Sequence, residues 1–134
     1  MRAAALVLAL AVAALAGCGA RSSTPYTAKG TIACLKKRGF TQVSTSPAKV
    51  GFIAGFAAKG GLVATSTDGN KVTIAFGKDE TEVASTEKAF KRAAPRKLQP
   101  HMSDVTRSSR NAVLVWTTAP SSDAESAVEG CLAP

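Results

Sequence analysis

Histidine, aromatic residues and cysteine are scarce in this chain, with one His, one Trp, one Tyr, five Phe and three Cys among 134 residues. His101 has no cluster of ligand-type residues around it, which leaves no readable metal site. Phe76, Phe90 and Trp116 are needed for a core, so no platform for stacking bases is left and nucleic acid is not an expected partner. Gly-x-Ser-x-Gly is absent, and Gly55 to Gly61 lacks the Gly-Lys-Ser/Thr ending that cradles phosphate. Neither a cofactor motif nor a pair of catalytic carboxylates is present, and no catalytic residue is assigned. Asp104, three residues after His101, is the one acid–base neighbour of that histidine, and Pro100 disfavours a regular helix beneath the two.

A membrane-spanning run is also missing. Ala3 to Ala16 gives fourteen consecutive apolar residues. As a helix these would cover about 21 Å, short of the roughly 30 Å hydrocarbon core of a bilayer. With Arg2 before it, the stretch reads as the apolar region of a secretory leader over residues 1–17. Without those residues the apolar share falls from 46% to about 39%, ordinary for one small soluble domain.

The leader ends in Leu15-Ala16-Gly17-Cys18. This tetrapeptide resembles the lipobox of bacterial lipoproteins. The resemblance implies that Cys18 is acylated through its sulfur and becomes the mature N-terminus at the outer face of the cell membrane. Two or more acyl chains hold stably where one is marginal. Gly19 is compatible with sorting to an outer membrane in an organism that has one. The plainer alternatives are an ordinary leader with a cysteine near its cut, or a retained signal anchor. Residues 18–27 lack apolar periodicity and read as the lipidated N-terminus plus a flexible tether, leaving residues 28–134 as a single domain.

Acylation of Cys18 leaves Cys34 and Cys131 as a pair, and an exported protein meets an oxidising compartment, so a disulfide between them is expected. A redox-active pair is disfavoured because there is no Cys-x-x-Cys. The pattern Cys34-Leu35, Trp116, Cys131-Leu132 resembles small secreted proteins, with no function to carry over.

Along the domain, Ala28 to Arg38 reads as a helix ending at Gly39, and Phe40 to Thr45 as a weak strand. Val50 to Ala58 reads as a short buried helix, because Phe52, Ile53 and Phe56 recur at helical spacing. Leu62 to Ser66 and Lys71 to Phe76 form a hairpin about Thr67-Asp68-Gly69-Asn70, with Val63 expected opposite Ile74 or Phe76 on one apolar face. Glu80 to Ala94 is an amphipathic helix capped by Asp79 with Glu82, burying Val83, Phe90 and Ala94 and exposing Lys88, Lys91 and Arg92. Ser103 to Arg107 reads as an edge strand and Ala112 to Trp116 as a central one. A last helix begins at a Ser122-x-x-Glu125 capping box, with Ala124, Val128 and Cys131 on one face. There is no regular strand–helix–strand alternation. The expected fold is therefore α+β: an antiparallel sheet of four or five strands with helices mainly on one face, and terminal helices joined by the disulfide.

Charge is uneven. Residues 18–120 carry a net +10 and residues 121–134 a net −3. Glu125 and Glu129 are expected near Lys36, Lys37 and Arg38. Lys88, Lys91, Arg92, Arg96 and Lys97 form the candidate anion-binding cluster, facing anionic lipid, a wall polymer or another envelope protein. The function expected is a non-catalytic binding or interaction module of the cell envelope. The alternative is an envelope enzyme, or enzyme accessory, with a cleft around His101.

Overall fold

The computed structural model describes residues 24–134. In chain order the elements are α1 (Ala28–Lys37), β1 (Thr41–Ser44), α2 (Pro47–Val50), α3 (Phe52–Gly55), β2 (Gly61–Thr65), β3 (Lys71–Phe76), α4 (Val83–Ala93), α5 (Met102–Val105), β4 (Thr106–Ser109), β5 (Ala112–Trp116) and α6 (Ser122–Glu129). Single 3-10 turns precede α4 (Glu80–Glu82) and α5 (Gln99–His101). The strands form one antiparallel sheet in the order β1-β2-β3-β5-β4, so the expected α+β class is found, with five strands where four or five were expected.

Alternation along the strands sends side chains to both faces. On one face Leu62, Val72, Ile74, Phe76, Leu114 and Trp116 pack with Leu35 of α1 and with Ala124 and Val128 of α6, forming the main core. Each large apolar side chain buried there contributes about 1.5–3 kcal/mol. Among the described residues the buried indole N–H of Trp116 has no acceptor. On the other face Val63 and Ala75 meet Val50 and Ala54, with Ala57 and Phe90 half-buried around them. Helices thus cover both faces, and the larger buried core lies on the α1/α6 face. The second layer is thin because α2 and α3 are single turns and α4 buries no residue completely.

Cys34 and Cys131 are joined by the expected disulfide, Cα atoms 5.3 Å apart across 97 residues of chain. It ties α1 to the turn that follows α6.

Four local readings need correction. The stretch after Val50 is not one buried helix: Gly51, at φ 81°, separates α2 from α3, and a left-handed residue cannot continue a helix. The break turns Val50 and Ala54 inward and leaves Phe52 80% and Phe56 77% exposed. The hairpin closes through three residues, Thr67, Asp68 and Gly69, with the Ser66 N–H bonded to the Asn70 carbonyl at 2.9 Å. Leu62 then faces Ile74, and Val63 faces Thr73 on the opposite side of the sheet. A one-residue slip in register exchanges the faces. Ser103 belongs to α5, and the edge strand begins at Thr106.

Finally, Asp79 caps the turn before α4 as expected, accepting from the Thr81 N–H at 2.9 Å, but the bond made by Glu82 and the cap of α6 are each displaced by one residue. Glu82 accepts from the Lys78 N–H at 2.7 Å, and Ser121, not Ser122, caps α6 by accepting from Ala124. Glu125 is drawn away from the α1 cations: it accepts from Arg107 Nε of β4 at 2.9 Å.

Candidate functional site

The start of the domain is fastened by side chains that the sequence reading did not single out. Asn111 follows Arg110, whose φ of 53° forms the tight β4–β5 turn, and is 2% exposed. Its Oδ1 accepts from the Tyr26 N–H at 2.8 Å, while its Nδ2 donates to the Tyr26 carbonyl at 2.9 Å and to the Gly77 carbonyl at 2.8 Å. The Arg110 guanidinium lies over the Tyr26 ring, 4.5 Å from its centroid, and donates to the Thr24 carbonyl at 2.6 Å. Thr27 caps α1, and its N–H donates to the Ala133 carbonyl at 2.8 Å. Residues 24–27, which composition assigns to the tether, are therefore bonded to the domain.

These contacts gather at one end of the sheet, where β2 begins and β3 ends. Ala28 N–H donates to the Lys59 carbonyl at 3.2 Å, and Phe76 N–H to the Gly60 carbonyl at 3.0 Å. α3 lies at this end too: a Cβ on Gly61 would sit 2.2 Å from the Ala54 carbonyl oxygen, so only glycine permits the approach. The exposed rings of Phe52 and Phe56 lie against each other here, centroids 4.8 Å apart and planes tilted by 45°. Their spacing of four residues places them on one face, but nothing in that spacing reveals which face turns to solvent.

The basic cluster occupies another region. Lys88 and Lys91 line an open cleft of about 350 Å³ with Glu87, Met102, Ser103 and Thr106. Thr106 pairs with Val115, next to Trp116 and Val72, at the end of the sheet opposite Asn111. Arg92, Arg96 and Lys97 are exposed on the surface beyond the cleft. The cleft therefore offers two ammonium groups and two hydroxyls, donors suited to an anion held at the surface, with the Glu87 carboxylate as the one opposing charge.

His101 ends the 3-10 turn before α5. Its Nδ1 is 3.6 Å from Asp104 Oδ2, with both side chains more than 60% exposed (71% and 63%), a solvated pair of the kind worth about 0–1 kcal/mol. Among the described residues no hydrogen bond joins its ring to a hydroxyl, as an activated nucleophile needs. No group of three His, Cys, Asp or Glu able to hold a metal occurs among the described residues, and no described helix is long and apolar enough to cross a membrane.

Two carboxylates are perturbed, both in turns. Asp68 is held below its ordinary value chiefly by the Ser66 hydroxyl and then by the Asn70 N–H. Asp79 is lowered chiefly by the Thr81 side chain. Both serve local turn geometry and lie outside the cleft. Cys18 falls outside the described residues.

No protein-family model matches this chain, and neither a curated protein nor a solved structure does.

Proposed function

We propose that the protein is a bacterial lipoprotein, anchored through Cys18 at the extracytoplasmic face of the membrane, and that its domain is a non-catalytic binding module. The pairing of Cys34 with Cys131 carries this reading, because it leaves Cys18, directly after Leu15-Ala16-Gly17, as the one cysteine outside the disulfide. A disulfide across the domain also suits export into an oxidising compartment. With the tether entering beside Asn111, the cleft of Lys88 and Lys91 lies at the far end of the sheet. It faces away from the anchor, towards an anionic wall polymer or the acidic surface of another envelope protein.

Growth with labelled palmitate tests the anchor. The full chain takes up label and sediments with membranes, and Cys18→Ser loses both. Label that persists in Cys18→Ser overturns the reading.

A further inference from the structure

Resting on the lipoprotein reading, we propose that α3 and its flanks form a second membrane contact. Phe52 and Phe56 insert into an anionic bilayer at the level of the upper acyl chains, while Lys59 lies among the headgroup phosphates.

The length and exit point of the tether support this occupant. Only six residue steps separate Cys18 from Thr24, where the described chain begins. Fully extended, six residues reach about 20–22 Å, so an anchored domain stays close to the bilayer at its Asn111 end. Ala28, the first residue of α1, bonds to Lys59, three residues beyond Phe56. The apolar pair and the anchor therefore leave the domain from the same end of the sheet.

Charge agrees with this placement. No Asp or Glu occurs between Cys18 and Thr67, and Lys59 follows the two rings by three residues. The carboxylates at this end, Asp79, Glu80 and Glu82, sit at the head of α4, where Asp79 accepts from Thr81 and Glu82 from Lys78. Surface basic residues are attracted to anionic lipid, and exposed aromatic rings gain by leaving water at the interface.

Patch size argues for a bilayer over a second protein. Two phenylalanines offer about 300–500 Å², well short of the roughly 800 Å² that a stable protein interface takes from each partner. A small patch suffices at a membrane, because the covalent anchor already supplies a high effective concentration.

The test places a photoreactive benzophenone analogue of phenylalanine at position 52 or 56 of the full chain, with Thr67, exposed in the hairpin turn at the opposite end, as control. Membranes are illuminated and adducts are read by mass spectrometry, with the acyl group on Cys18 measured in the same samples. The expected result is phospholipid adducts at 52 and 56, several-fold more abundant than at 67. Equal yield at 67, adducts to protein instead of lipid, or no adduct at 52 and 56 overturns the docking surface. If Cys18 is acylated in those samples the lipoprotein reading survives that failure. A Cys18 without its acyl group, with lipid adducts still formed at 52 and 56, overturns the anchor and leaves the docking surface standing. Because both rings are exposed, the substitutions leave the disulfide and the thermal midpoint unchanged.

Discussion

The side-chain amide of Asn111 grips the backbone of Tyr26 from both sides, accepting from its N–H at 2.8 Å and donating to its carbonyl at 2.9 Å, across 85 residues of sequence. One buried amide thus decides where the tether ends and the domain begins.

Replacing Asn111 with Ala strands three backbone groups, two on Tyr26 and one on Gly77. At about 1 kcal/mol for each lost bond, the variant is expected to be about 2–3 kcal/mol less stable. Chemical denaturation measures it. A loss below about 1 kcal/mol, the size of one such bond, contradicts the role given to this residue.

Removing the disulfide acts on the unfolded chain. For a loop of 97 residues the chain-entropy model gives about 4–5 kcal/mol. Cys34→Ala with Cys131→Ala is expected to show most of that loss. The native protein is expected to gain about 2 Da on reduction, and two free thiols before reduction contradict the bridge.

Acid is expected to weaken the fold through its turns. Asp68 and Asp79 have folded-state values below the ordinary 3.8, so the folded state favours their ionised forms. The stability they add is present above the unfolded value and is lost as pH falls through 3.8 towards the lower folded values. Thermal midpoints measured against pH are expected to drop in that window, and Asp68→Asn with Asp79→Asn to flatten the drop. An unchanged drop in the double variant assigns it to other carboxylates.

Charge reversal tests the cleft. Lys88→Glu with Lys91→Glu is expected to weaken binding to long-chain polyphosphate by roughly tenfold or more at low salt, since each surface cation near a dense anion is worth about 1 kcal/mol. Stability is expected to change by less than about 0.5 kcal/mol, because both side chains are exposed. Equal affinity for polyphosphate contradicts the cleft as an anion site.

Much of the fold was legible along the chain because it follows from nearest-neighbour chemistry. Gly39 ended α1, Pro95 ended α4, and the alternation of Val72, Ile74 and Phe76 marked β3. The cysteine pairing followed from counting. The site was less legible: Lys88 and Lys91 were singled out by charge, but of the residues that complete their cleft Ser103 comes from a segment assigned to a strand and Met102 was assigned to no element.

Composition and period were enough to specify an antiparallel α+β domain stapled near its ends, because side-chain pattern, turn residues and sulfur count act locally or by elimination. Packing alone chose the face given to Val63, the partner taken by Glu125 and the outward turn of Phe52 and Phe56. Both faces of this sheet bury apolar groups, so the pattern admitted either register. The three-residue turn at Gly69 and the left-handed Gly51 settled the matter, because each sets the direction of the element that follows it.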